Sequence, residues 1–251
     1  MPMDLPTSTL PAGYLLRRLR TGDTPTTARL HRRLLPNGLF PRLGPRFLRQ
    51  WHGTFLDTPA ATGLAVVHQG EVVAFVLAAL DQRLYLRHTL RRHRWSLMWR
   101  GALGMLARPH VLVQFLRTRV RTYARHLLPT ARRTGPTGGG PPATPPPSRP
   151  ERRVRVAVVH AVATSEQARG QGCARGLLDA VAAAARRARA DHVALVTDVP
   201  DPATGAPATG AAAMYERLGW RREDVRRHRD GRWVAEYRLD LARPAAPGTT
   251  A

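Results

Sequence analysis

The amino-acid sequence predicts a mixed α/β (α+β) domain interrupted by a basic helical insertion. Three observations carry this expectation. From Arg153 to Val199 a β-branched run, "RVRVAVVHAVAT", a glycine-rich turn, an alanine-rich run and a second β-branched run, "DHVALVTDV", follow one another. That is the order of a strand–helix–strand unit. Earlier, "TGLAVVHQGEVVAFVLAAL" (Thr62 to Leu80) is two apolar runs about a His68-Gln-Gly turn, the pattern of a β-hairpin. Between the two units, residues 82–150 hold 14 Arg and no Asp or Glu.

In chain order, "YLLRRLR" (Tyr14 to Arg20) reads as an opening strand. In "GDTPTTARLHRRLL" either Asp23 or Thr24 can cap a helix, and Pro25 is pre-set for its first turn. "PNGLFPRLGP" breaks the chain, and Arg46 to Leu56 restarts as a helix with Phe47, Trp51 and Phe55 at fourfold spacing. After the hairpin, residues 82–133 read as two basic helices. The second sets Leu112, Leu116, Val120, Tyr123 and Leu127 on one stripe, with Arg117, Arg121 and Arg125 beside or opposite it. Residues 134–152 are a Pro/Gly-rich loop whose composition predicts disorder. The run from Arg153 to Thr164 is long and nearly continuous in β-branched residues, which predicts a strand buried on both faces. Gly176 to Ala190 predicts a helix, "PATGAAAMYERLGW" a loop and short helix ending at Gly219, and Arg232 to Leu241 a final strand. The tail after Leu241 is expected to be loose. One domain, 1–251, is expected to contain all of these.

Composition narrows the function. The chain has 251 residues, a net charge of +23 from 40 basic and 17 acidic residues, and 43% apolar residues, enough for a real core. Every basic residue is Arg, and both Lys and Ile are missing. GC-rich codon usage accounts for the choice of Arg over Lys, but not for the excess of positive charge. That excess points to an anionic partner. A single cysteine, Cys173, excludes an internal disulfide and a cysteine-rich metal site. His88, His93, His110 and His126 lack metal-ligand spacing with carboxylates. The N-terminus lacks the apolar core of a signal peptide, and the longest apolar run, Val72 to Leu80, is far below the roughly 18 residues that span a bilayer. The expected location is cytoplasmic, or peripheral to a membrane.

The stretch "EQARGQGCARGLL" (Glu166 to Leu178) joins a strand to a helix through three glycines. Unpaired N–H groups and the helix dipole make such a junction a ready anion site. A Walker A loop needs Gly-Lys-Ser/Thr, and this chain has no Lys. A dinucleotide fingerprint needs G-x-G-x-x-G, and Gly170, Gly172 and Gly176 are one residue too far apart for it. R-x-x-G-x-A is met by Arg169, Gly172 and Ala174. A glycine placed only for steric reasons at a helix start is the plainer alternative.

At these residues the sequence resembles the coenzyme-A-binding motif of the GCN5-related N-acetyltransferases (GNAT), [Q/R]-x-x-G-x-[G/A]. "MYERLGW" (Met214 to Trp220) likewise resembles the family's later Y-E-x-x-G-F element. The resemblance covers roughly residues 14–81 and 153–241. It implies a central mixed, mostly antiparallel sheet with a splayed central strand, flanked by helices. It implies acetyl-CoA as cofactor, its pyrophosphate held by main-chain N–H groups of Arg169, Gly170, Gln171, Gly172, Cys173, Ala174 and Arg175. A main-chain N–H near Val162, Ala163 or Thr164 would polarise the thioester carbonyl, and Tyr215 would protonate the departing thiolate. Two departures stand out: Ala208 where the family often has an Asn, and Val156 where one branch carries a glutamate base.

The base is therefore sought elsewhere. His160 shares a face with Val154, Val156 and Val158 by strand alternation, and an imidazole titrates near neutrality. A buried histidine bonded to a neighbour is the equally simple reading. Asp198, at the end of the next strand, is the second candidate, and Glu71 and Asp81 are weaker ones. The expected activity is acetyl-CoA-dependent N-acetyl transfer to an amine of a small molecule, amino sugar or peptide. The alternative is a catalytically silent module of the same fold that docks on anionic membrane or nucleic acid through residues 82–133. Expected partners are acyl-CoA, an amine, an acidic peptide or anionic lipid surface at the Arg-rich insertion, and a second copy in a homodimer. Nucleic acid is disfavoured, since no motif for it is present.

Overall fold

Seven strands form one sheet in the order β1-β2-β3-β4-β5-β7-β6. The computed structural model describes residues 10–37, 39–93, 95–97, 99, 154–228 and 230–241. Of the basic insertion, only residues 82–93, 95–97 and 99 fall within that range. The loop at 134–152, the second basic helix and the tail lie outside the described residues.

β1 (Tyr14–Arg18) leads through an Asp23 turn into α1 (Thr24–Leu34). The Asp23 carboxylate accepts two bonds from Arg17, at 2.6 and 2.9 Å, and one from Arg20 N–H at 2.7 Å, which holds its carboxyl below the usual carboxylate range. The segment read as a break contains a short helix, α2 (Leu39–Arg42), before α3 (Pro45–Gly53). α3 stops short of the expected Leu56, yet Phe55 is still 1% exposed in the core. β2 (Ala61–His68) and β3 (Glu71–Ala79) are the expected hairpin, turning at Gln69 and Gly70, both of positive φ. α4 (Gln82–Arg92) opens the insertion, capped by the Asp81 carboxylate accepting from Leu84 N–H.

The second half supplies β4 (Val156–Thr164), α5 (Cys173–Arg187), β5 (His192–Val199), α6 (Gly210–Arg217), β6 (Arg221–Arg227) and β7 (Trp233–Asp240). β6 was not legible from periodicity, because "RREDVRR" is charged at six of seven positions. It is the sheet edge, where charge discourages further pairing.

Every strand pair is antiparallel except β4–β5, which is parallel. β4 and β5 pair only at Val156↔His192, Ala157↔Val193 and Val158↔Ala194. Beyond Val158 they part, and the rest of β5 pairs with β7 alone. The sheet is mixed and mostly antiparallel, with a splay at its centre.

Two cores sit on opposite faces of the sheet. One packs α5 and α6 through Leu177, Val181, Ala184 and Tyr215 against Val66, Val76 and Leu195. The other packs α1 and α3 through Ala28, Leu48 and Trp51 against Phe75 and Leu77. Small alanines on α5 let that helix lie close to the strands. Among the described residues no helix is long and apolar enough to cross a membrane.

Candidate active site

The splay opens a cleft of about 710 Å³, and the glycine-rich stretch forms one wall of it. Gly172 is the residue before α5, with φ 73°, a left-handed conformation that favours glycine. It caps the helix without a side chain, and the first ladder bond runs from Gly176 N–H to Gly172 C=O at 2.9 Å. The N–H groups of Cys173, Ala174 and Arg175 therefore precede any carbonyl of their own helix. They lie at the positive end of the helix dipole, where an anion is favoured.

Arg169, Gly170, Gly172, Cys173, Ala174 and Arg175 all line this cleft, facing Val162, Ala163 and Thr164 of β4. Gln171, between them in the chain, is exposed and is not a lining residue. Cys173 is 1% exposed and burial pushes its thiol up, so it contributes main chain rather than a nucleophile. The Thr164 hydroxyl is buried and has no hydrogen-bond partner among the described residues. An orphaned hydroxyl, free helix N–H groups and three arginines (Arg169, Arg175 and Arg217) make a donor set that fits a polyphosphorylated cofactor with an amide-bearing arm.

Tyr215 of α6 closes the opposite wall. It is 4% exposed, and its ring lies 5.8 Å from Trp220 and 5.7 Å from Tyr237. Burial pushes its phenol up to about 12, so the hydroxyl is protonated throughout the physiological range. Its hydroxyl makes no hydrogen bond among the described residues, unlike that of Tyr237, which donates to Glu216 at 2.8 Å.

Asp198 lies on β5 beyond the splay. Leu195 packs in the same core as Tyr215, so strand alternation turns Asp198, three residues on, to the opposite sheet face. Its carboxylate accepts from Asn37 Nδ2 at 2.9 Å and pairs with Arg232. Asn37 follows Leu34 and Leu35, which line the cleft, so this bond fixes the end of α1 across the opening. Arg33 and Glu166, 3.0 Å apart, tie the same end of α1 to the segment before the loop.

His160 is elsewhere. The β3–β4 register slips between Leu77↔Ala161 and Ala78↔Val159, which makes His160 the extra residue of a β-bulge. Its ring packs among Phe55, Tyr85 and Trp51, at 5.2, 5.5 and 6.2 Å, on the α3 side and away from the cleft lining. Its Nε2–H donates to Gln82 Oε1 at 2.9 Å, and burial lowers its imidazole to about 4. Glu71 is exposed at the hairpin turn, and Asp81 caps α4. The cleft thus gathers the loop, the β4 main chain and Tyr215. Asp198 is not a lining residue, though its partner Asn37 follows the lining Leu34 and Leu35, and His160 lies outside.

Sequence reasoning missed Leu34, Leu35, Asn37, Met214 and Arg217. The last two were within reach, since both lie inside the "MYERLGW" stretch on the Tyr215 helix. Asn37 sits in a Pro-Asn-Gly break and is brought to Asp198, 161 residues away, only by the fold. Among the described residues no group of three or more His, Cys, Asp or Glu could hold a metal ion.

Residues 142–220 match the acetyltransferase (GNAT) family. No curated protein matches the chain. Among solved structures it is similar to the ribosomal-protein-S18-alanine N-acetyltransferase of Escherichia coli, at 12% identity over 95% of this chain and 98% of that one, TM-score 0.50. It is similar to Ard1 of Thermoplasma volcanium at 11% identity over 92% and 99%, TM-score 0.52. It is also similar to yncA of Salmonella typhimurium, solved with its cofactor acetyl-CoA, at 11% identity over 94% and 99%, TM-score 0.50. At such identities the likeness is one of fold.

Proposed function

We propose that this chain, whose residues 142–220 match the GNAT acetyltransferase family, is an N-acetyltransferase that moves an acetyl group from acetyl-CoA to an amine of a small molecule, an amino sugar or a peptide. One observation carries the reading: a single cleft holds the glycine loop at the start of α5, the parted edge of β4 and the buried phenol of Tyr215. When bound, acetyl-CoA supplies an activated thioester.

The chain's own groups have four tasks. Main-chain N–H groups from Gly170 to Arg175 hold phosphate, and Arg169, Arg175 and Arg217 balance its charge. N–H groups of β4 between Val162 and Thr164, freed from β5 by the splay, donate to the carbonyl oxygen where negative charge develops. Tyr215 Oη–H is the proton source for the leaving sulfur, and its raised pKa keeps that proton in place. Asp198, on the opposite face of the splay, takes the proton from the attacking nitrogen. Acid and base thus flank the opening from its two sides. His160 is too deeply packed and too weakly basic to compete for that role.

Tyr215→Phe is expected to lower kcat about a hundredfold, the usual scale of general-acid catalysis, with coenzyme A affinity unchanged. Thiol-release kinetics and calorimetry on the same preparation check this, and a parallel loss of affinity would make Tyr215 a packing residue. Asp198→Asn is expected to lower kcat/KM for the amine by at least tenfold while coenzyme A binding persists. Wild-type kcat/KM would remove Asp198 from the chemistry.

The arginine-rich segment adds a partner to this reading, an acidic peptide or an anionic lipid surface, and with the latter a location peripheral to a membrane. The exposed leucines of α4 favour lipid.

A further inference from the structure

A second groove, of about 820 Å³, opens between α4, the ends of β2 and β3, and the residue after α5. It is not part of the transfer cleft. Cys173 starts α5 in one and Ala188 follows its C-terminus in the other, and the helix between them has 15 residues. That separates the two sites by about 22 Å.

The groove has an apolar floor of Pro59, Ala60, Leu80 and Leu84, and a rim of Arg87, Arg91 and Arg92. Its single carboxylate, Asp81, caps α4 and lies 3.5 Å from Arg155. Arg155 is further engaged by the Ala188 carbonyl at 2.9 Å. Arg87, Arg91 and Arg92 pair with no carboxylate among the described residues. The next acid after Asp81 in the chain is Glu151, so the intervening insertion supplies none whatever its arrangement. His88 lines the groove as well, with its Nδ1 buried and unpartnered among the described residues.

Charge alone would suit any anion. The apolar surface around it is more selective. Leu84, Leu86 and Leu90 of α4 are 50, 44 and 62% exposed, and Trp95 and Trp99 just beyond are each 70% exposed. Leu86 and Leu90 stand one turn apart beside Arg83 and Arg87 on the solvent side of the helix. A face of leucine, tryptophan and arginine that extends well past the groove is suited to a bilayer interface rather than to a free metabolite.

We propose that α4 docks this protein on an anionic phospholipid bilayer, with one lipid phosphate held between Arg87, Arg91 and Arg92 at the groove mouth. The glycerol and upper acyl carbons run along Leu80 and Leu84. Leu86, Leu90, Trp95 and Trp99 enter the interface. This docking is independent of acetyl transfer.

Co-sedimentation of the full chain with phosphatidylcholine vesicles, with and without phosphatidylglycerol, tests it. Binding is expected only to the anionic vesicles and to weaken with salt. Arg87→Gln with Arg91→Gln is expected to weaken it about 30-fold, at about 1 kcal/mol per arginine near such a surface. Leu86→Ser with Leu90→Ser is expected to weaken it at constant charge. Circular dichroism verifies that each variant remains folded. Equal binding to neutral vesicles, undiminished binding of either variant, or no vesicle binding would overturn the proposal. Binding of polyglutamate that is lost in Arg87→Gln with Arg91→Gln, without vesicle binding, would assign the groove to an acidic peptide instead.

Discussion

Gly172→Glu weakens coenzyme A binding at least a hundredfold and leaves the chain folded. Two effects combine. Gly172 is left-handed, at φ 73°, where a residue with a Cβ costs about 1–2 kcal/mol, so the substituted loop relaxes out of the shape that receives phosphate and binding must drive it back. The new carboxylate also stands at the helix N-terminus where the cofactor phosphates belong, so an anion must be displaced before another enters. A hundredfold change corresponds to about 2.7 kcal/mol, within reach of these effects together. Calorimetry with coenzyme A reads the affinity, and thermal unfolding reads the fold. Near-wild-type affinity would mean that the loop is a turn and nothing more.

The second large effect is a loss of stability in mild acid, set mainly by a buried histidine chain in the α1–α3 core, with the buried His160 adding to the same loss. His52 is 0% exposed and His31 is 5% exposed. Thr27 Oγ1–H donates to Thr24 C=O at 3.3 Å, so His52 Nδ1–H donates to Thr27 at 2.8 Å, and His52 Nε2 accepts from His31 Nδ1–H at 3.1 Å. Protonating His52 would set two N–H groups against each other. Burial lowers His31 to about 4, and burial with the neighbouring His31 lowers His52 to about 3. In the unfolded chain both titrate near 6.5. The unfolded state therefore takes up protons first as pH falls. Stability is fully present above about pH 6.5 and is lost from there down toward pH 4. At pH 5 the loss is about 2 kcal/mol for each histidine, a large part of a typical folding free energy. Urea unfolding at pH 7.5 and pH 5 measures it, and His31→Phe should flatten the slope. A stability curve flat across that window would contradict the neutral, buried chain.

How legible the site was depended on whether its parts lie close in sequence. The loop from Arg169 to Arg175 and the Tyr215 helix each carry their own local signal, and the cleft unites both. The hairpin and the long strand were plain from apolar runs, although a bulge that alternation cannot see gives His160 its setting. β6 escaped because an edge strand need bury only one residue, Val225, and that only in part. The His31–His52 chain bridges two helices and is a product of packing. One clue was available: Thr24, Thr27, Ala28 and His31 share one helix face by spacing, and all four are buried. The splay itself left no mark in either strand, since it is a property of their pairing.

The most direct test is amine-dependent release of coenzyme A thiol from acetyl-CoA by the purified chain, across a panel of small amines, amino sugars and peptides, with mass detection of the acetylated product. An N-acetyltransferase with this cleft releases thiol only when a suitable amine is present, and Tyr215→Phe and Gly172→Glu both suppress it. Tight coenzyme A binding without acetylation of any amine would contradict the enzyme and leave a binding module on the same fold.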